Sequence, residues 1–347
     1  MAELTIATNN GDVGGGEVML LNLALAAADL GVEVRVVAPS APSGLLEASL
    51  AAGLRTVEIA ARDRRSWMRG LRSWDASHRR GVLWCNGLVP ATATSGHPGR
   101  IVHLHQRPRP SQRPALSLAR RGALRVLVPS GAMAAAIPQA HVFPNWTVPI
   151  ARVEPRPTGS IVRVGFLGRH SPGKGLVTLA RALALLDQRR PGGYRLWLAG
   201  EPRLVSRADQ REVIRALAPV DHLVDRPGWV SREEFFGSVD VAAFPSHVAE
   251  SFGLVAAEAM AAGVPLVISD AGGLPEVAGP EHRWIVGVGD ADALADAIGG
   301  AAAEASPASL TAARLRWERL YSPDAGRDRL TAELDRWGLL PRTGAPT

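Results

Sequence analysis

The chain has 347 residues, 46% of them hydrophobic and 21% charged, which suggests about two domains of roughly 150 residues each and excludes a disordered chain. Its net charge of +6 is concentrated early: residues 1–150 carry 16 arginines against 9 acids, whereas 151–347 carry 23 basic and 24 acidic side chains. A basic first half suits an anionic acceptor, a lipid surface or a nucleic acid. No run reaches a membrane span. The start lacks a basic-then-apolar leader, and the single Cys85 excludes an internal disulfide. A cytoplasmic protein is expected, with the inner membrane surface left open.

Taken in order, the first β-type run covers 3–8, and Gly14-Gly15-Gly16-Glu17 follows it to open a helix over 17–30. Three glycines let a backbone approach a ligand at a helix N-terminus, with a tight turn as the plain alternative. The spacing is not Gly-x-Gly-x-x-Gly, which disfavours a nicotinamide site. Strands are predicted at 32–38 and 56–59. Between 62 and 80, Trp67, Leu71 and Trp74 share one helical face, with Arg64, Arg65, Arg69 and Arg72 around the rest. An interfacial membrane helix has this pattern. A position between two strands favours a sheet-covering helix with its stripe inward. No binding motif accompanies the charge, so nucleic acid is not expected.

Further strands are predicted at 82–84, 101–105, 126–129 and 141–143. Cys85 reads as a buried, inert thiol, and Asn86-Gly87 as an acceptor-side lining or a turn. His103 and His105 end one strand and are expected to point to opposite faces, in structural or ligand-facing roles. Prolines 144, 149, 155 and 157 mark an interdomain linker over 144–159. A second alternation follows, with strands at 161–167, 194–199, 222–225, 239–244, 265–269 and 284–288. Helices are predicted at 176–188, 207–217 and 254–262, and final helical stretches over 307–337. Strands separated by helices imply βαβ units in parallel sheets. The fold class is therefore α/β, two doubly wound halves facing a cleft at the carboxyl ends of their strands.

Two motifs in the second half carry chemistry. Gly168-Arg169-His170-Ser171-Pro172-Gly173-Lys174-Gly175 follows a strand and holds the one lysine among 39 basic residues. Arg169 and Lys174 suit a diphosphate clamped from two sides, with a solvated loop as the alternative. Then Glu250-Ser251-Phe252-Gly253-Leu254-Val255-Ala256-Ala257-Glu258 sets two carboxylates around a small turn that opens a helix. Backbone N–H groups at such a start suit a phosphate. Glu258 suits a ribose diol and Glu250 a second sugar, because a carboxylate accepts two hydrogen bonds from vicinal hydroxyls. The alternative is an N-terminal Glu favoured by the helix dipole plus a chance helical Glu.

With Ala259-Met260-Ala261-Ala262-Gly263-Val264-Pro265 and Gly272-Gly273-Leu274-Pro275-Glu276 in the same order, these motifs resemble the retaining glycosyltransferases of family 4. The likeness is dense over the second half and loose over the first. It implies the GT-B fold: an acceptor-side Rossmann-like domain at 1–152, a nucleotide-sugar-binding domain at 153–320, and a helix at 321–347 returning to the first domain, with a tail. It also implies transfer of a sugar from a nucleotide-diphosphate sugar to a hydroxyl of a lipid, glycan or small metabolite, with retention. No metal or other cofactor is implied, and no metal-ligand spacing appears.

By resemblance Arg169 and Lys174 neutralise the diphosphate, Glu258 holds the ribose, and Glu250 lies near the donor sugar. The backbone of Ser251, Phe252, Gly253, Leu254 and Val255 forms the phosphate- and sugar-contacting turn. Gly15 and Gly16 belong to the first-domain glycine loop, and His105 matches the histidine that reaches the donor sugar. His105, Glu250, Arg169 and Lys174 thus form the expected catalytic set. Two departures stand out. Pro144-Asn145-Trp146 replaces an Asn-Gly turn, and tryptophan does not readily take glycine's backbone angles. His170 directly after Arg169 is uncommon and reads as a further phosphate donor or an exposed loop residue. A nucleotide-sugar epimerase and a non-catalytic arginine-rich lipid- or nucleic-acid-binding module are the alternatives.

Overall fold

The computed structural model describes residues 3–153, 161–202 and 205–341. Pro155 and Pro157 of the expected linker, and the end of the tail from 342, lie outside the described residues. The chain divides into two compact units, Met1–Trp146 with Asp324–Thr347, and Thr147–Pro323. The sequence reading sets these divisions at 152/153 and 320/321.

The first unit is built on seven strands, β1 (Glu3–Ala7), β2 (Glu33–Pro39), β3 (Arg55–Ile59), β4 (Val82–Asn86), β5 (Arg100–His103), β6 (Ala123–Val128) and β7 (His141–Val142). They pair in parallel in the order β3-β2-β1-β4-β5-β6-β7. Every residue of β1 and β4 is buried, as expected of central parallel strands covered by helices on both faces. One face packs Leu4 and Ile6 against Met19, Leu20 and Leu23 of the helix Gly15–Asp29. The other packs Leu83 and Cys85 with Trp67 and Leu71 of the helix Arg64–Ser77. The apolar stripe of that helix therefore faces the core, while Arg64, Arg65, Arg69 and Arg72 are exposed. Asp63 caps it by accepting from Ser66 N at 2.7 Å.

The last helix, Pro323–Arg336, belongs to this unit. It adds Leu330 and Leu334 to the core beside β1 and pairs Glu333 with Arg125 at 3.2 Å. Trp146 is no turn residue: its buried ring lies over Gly326 of this helix, where any Cβ would come within 2.3 Å of it.

The second unit has six strands, β8 (Val162–Leu167), β9 (Tyr194–Ala199), β10 (Val224–Gly228), β11 (Val241–Phe244), β12 (Leu266–Ser269) and β13 (Ile285–Val286), parallel in the order β10-β9-β8-β11-β12-β13. The strand expected at 222–225 starts later, because 218–223 closes into a 3₁₀ turn with proline near its start. In both sheets the strand order reverses beside the first strand of the unit, at β1/β4 and at β8/β11. Ligands of open α/β sheets bind beyond the carboxyl ends of the strands at such a reversal. No helix among the described residues is long and apolar enough to cross a membrane.

Candidate active site

Three loops meet beyond β8, β11 and β12. The first, after β8, tightens into a 3₁₀ turn at Pro172–Lys174 and ends on Gly175 at φ +82°. A Cβ at Gly175 would lie 1.8 Å from the Pro245 carbonyl oxygen, so only glycine lets this loop lie against the one after β11. His247 N donates to the Gly173 carbonyl at 2.9 Å and cross-links the two loops. The third loop is fixed in the same way. Gly272 has φ +64° and a Cβ there would meet Glu250 O at 2.3 Å, while Gly273 N donates to Glu250 O at 2.7 Å.

This packing brings Lys174 and Glu250 together. Lys174 Nζ lies 2.6 Å from Glu250 Oε1, and Ser246 Oγ donates to the same oxygen at 2.6 Å. Beyond them, Gly253 at φ +115° turns the chain into the helix Leu254–Ala262. Leu254 and Val255 open that helix with N–H groups that have no partner among the described residues, a ready anion site. Ser251, Gly253, Leu254 and Val255 are partly exposed. Phe252 is buried against Tyr321, ring centroids 5.3 Å apart, so its side chain braces the turn and only its backbone is available.

Glu258, one turn further, is 8% exposed. It does not touch Lys174 or Arg169; its partner is Arg232, whose Nε lies 2.9 Å from Oε2. Burial raises the Glu258 pKa, the Arg232 charge pulls it back, and Glu233 adds a smaller repulsion. Arg169 is exposed, with no hydrogen bond or ion pair among the described residues. His170 is half-buried and lines a cavity of about 420 Å³ with Leu198, Pro202, Gln210, Ile214 and Arg226. Burial lowers its pKa, and its Nε2 lies 3.4 Å from the Ala199 carbonyl oxygen. Trp229 is 77% exposed.

The first unit gathers its own candidates at the carboxyl ends of β1, β4 and β5. Asn86 Nδ2 donates to Gly16 O at 3.2 Å, which turns its oxygen towards His105. His105 Nε2 lies 2.6 Å from that Oδ1, so the ring proton sits on Nε2 and Nδ1 is the free acceptor. A Cβ on Gly16 would come to 3.6 Å from the His105 ring. Gly15 is the first residue of the same helix, whose Glu17 is buried and held by Thr8 Oγ1 and Gly14 N, each at 3.3 Å. The expectation that His103 and His105 point apart is wrong. Residues two apart in extended chain share a face, and the two ring centroids are 4.1 Å apart. Burial pushes His105 down to about 4, and His103, with His105 beside it, well below its usual range. Burial also pushes the Cys85 thiol up to about 11, which leaves it inert.

Sequence reasoning missed Ser246 and Arg232. Ser246 stands four residues before Glu250 and had a positional signal; Arg232 is 26 residues from Glu258 and had none.

Residues 161–303 match the family model described as Glycosyl transferases group 1. Over 119 residues the chain is 40% identical to D-inositol 3-phosphate glycosyltransferase of Pseudarthrobacter chlorophenolicus, covering 31% of this chain and 26% of the relative. Over 185 residues it is 37% identical to glycogen synthase of Mycobacterium tuberculosis, covering 52% and 41%. The chain thus spans less than half the length of these curated relatives. In fold it is similar to Anabaena HepE in complex with UDP and glucose, with a TM-score of 0.82 at 20% identity over 96% of this chain and 100% of that one. It is also similar to sucrose-phosphate synthase of Thermosynechococcus elongatus, with a TM-score of 0.72 at 20% identity over 98% and 97%. Residues 161–303 thus form a domain similar to the Glycosyl transferases group 1 family, and the two parallel Rossmann-like sheets match the fold of GT-B glycosyltransferase structures.

Proposed function

We propose that this chain is a retaining, metal-independent glycosyltransferase that moves a sugar from a nucleotide-diphosphate sugar to a hydroxyl of a lipid, glycan or small metabolite. The observation that carries the reading is the Lys174–Glu250 pair, 2.6 Å apart beside an open helix N-terminus at the strand-order reversal. As the bond from the anomeric carbon to the diphosphate breaks, negative charge grows on the leaving oxygens. Lys174, Arg169 and the N–H groups of Leu254 and Val255 are the groups that stabilise it. The acceptor oxygen bonds the anomeric carbon on the face the diphosphate leaves, and its proton passes to a leaving phosphate oxygen. Without donor, Glu250 neutralises Lys174; with a diphosphate on Lys174, the Glu250 carboxylate turns to the sugar hydroxyls. His105 is neutral above about pH 4 and its Nδ1 is buried, so it contributes an uncharged ring at the carboxyl end of β5. Support for a nucleotide sugar comes from similarity, since the solved HepE complexes hold UDP and UDP-glucose.

A thermal-shift panel of UDP, GDP, ADP and TDP tests the reading, followed by transfer assays with the sugar of whichever stabilises the protein. Stabilisation is expected from at least one and not in Glu258→Ala. Transfer is expected to survive EDTA within about twofold, and the product's anomeric configuration, read by NMR, to match the donor's. Isomerised sugar from donor alone would instead identify an epimerase. Lipid or oligonucleotide binding that survives Lys174→Ala and Glu258→Ala, with no nucleotide affinity, would identify a binding module.

A peripheral membrane contact is proposed through Arg64, Arg65 and Arg69. Because Trp67 and Leu71 are buried, the contact is electrostatic and not an insertion. Binding to anionic vesicles is expected to fall at least about tenfold between 50 and 300 mM salt. Salt-insensitive binding in sedimentation assays would contradict it.

A further inference from the structure

The ion pair at Glu258 sets a cation where its own helix does not favour one. Arg232 is the first residue of the short helix Arg232–Gly237, capped by Ser231 accepting from Glu234 N at 3.0 Å. A positive side chain at a helix N-terminus works against the helix dipole, which favours Glu233 and Glu234 just after it. What Arg232 gains is Glu258. Its side chain is 39% exposed and that of Glu258 only 10%, so a guanidinium half in water neutralises a carboxylate almost wholly out of it. The ion pair runs from Arg232 Nε to Oε2. Oε2 is buried and, beyond this ion pair, has no hydrogen-bond partner among the described residues, so the carboxylate is held by charge.

We propose that Arg232 is a positioning residue for the donor: its ion pair keeps Glu258 ionised and in place so that the carboxylate accepts from the donor ribose. The proposal rests on the reading that Glu258 holds that ribose. Without Arg232 the carboxylate is buried and uncompensated, and such a group takes up a proton. The neighbouring charges do not substitute. Glu233, on the same short helix, opposes ionisation. Arg314, from the helix Pro307–Leu320 packed on the Glu258 helix, is committed to the Ile150 and Ala261 carbonyls and to Glu318. Glu276, on the adjoining helix Leu274–Ala278, is exposed.

The test is calorimetric titration of whichever of UDP, GDP, ADP and TDP binds the native protein most tightly, from pH 5.5 to 8.5. It compares native protein with Arg232→Met, Arg232→Lys and Glu258→Gln. Methionine keeps most of the apolar stem and removes the charge. Arg232→Met is expected to weaken binding about tenfold at pH 7, with the loss growing as pH falls and its onset at higher pH than in the native protein. Arg232→Lys is expected to recover most of the affinity and the native pH profile, and in turnover the loss is expected in KM more than in kcat. A pH-independent loss in Arg232→Met would show a merely structural role and overturn the proposal. So would native affinity and profile in Arg232→Met while Glu258→Gln binds poorly. Native affinity in Glu258→Gln would sink the ribose reading itself, as would a native protein that binds none of the four nucleotides, and the proposal would fall with it.

Discussion

Lys174→Ala is expected to lower kcat/KM for sugar transfer by about 10²–10³-fold, the usual cost of removing one group that faces charge developed in a transition state. Its ammonium is the charge that the loop after β8 delivers to Glu250. Its own backbone is held independently, by Lys174 N donating to Ser171 O at 3.1 Å and by Gly175 against Pro245. Substitution therefore removes charge without loosening the loop, and Ser246 still donates to Glu250. Near-native melting together with the kinetic loss is the expected pair of results. Lys174→Arg is expected to recover only part of the rate, because a planar fork on a longer stem does not replace a point charge on a 2.6 Å contact. A Lys174→Ala enzyme within about tenfold of native would contradict the assignment.

The second large effect is on stability in acid. His103 is wholly buried, with neither ring nitrogen hydrogen-bonded, and His105 beside it titrates near 4. Both are neutral in the folded protein at pH values where an unfolded histidine, near 6.5, takes a proton. Between pH 6.5 and 4 the unfolded chain thus binds more protons than the native one, so stability is full above that window and declines as pH falls through it. By pH 5 the His105 imidazole, titrating near 4, is expected to cost about 2 kcal/mol, and His103 adds to the loss in the same direction. His103→Phe keeps a ring against Trp84 and Phe143, whose centroids lie 5.7 and 5.6 Å from that of His103, and removes one titrating group. In urea unfolding at pH 7 and pH 5, this variant is expected to lose clearly less stability than the native protein. Equal losses in the two proteins would show that His103 does not carry the acid sensitivity.

How far the sequence could be read follows from what each feature needed. The central strands were legible because both faces of a parallel sheet are covered, so their residues form unbroken apolar runs such as 82–84. Lys174 and Glu250 were legible because each lies in a glycine-bearing loop whose backbone demands leave a linear trace. Arg232 left none, since its partner is reached only through the packing of two helices. Trp146 looked like a strained turn because its use depends on Gly326, far along the chain, where a missing side chain makes room for the indole. The error on His103 and His105 was one of periodicity: in extended chain two residues on is the same side.

The last helix sets the order in which the molecule can be made. Residues 147–323 emerge from the ribosome as one continuous piece that contains its whole sheet and core. The first unit is synthesised almost entirely before them, yet Leu330, Leu334 and Leu339 of its core arrive only after residue 323. The apolar surface around Leu4, Ile6 and Met19 therefore waits, incompletely covered, while the second unit is made. The half that is born first finishes last, and it is the half that a nascent-chain chaperone has reason to hold.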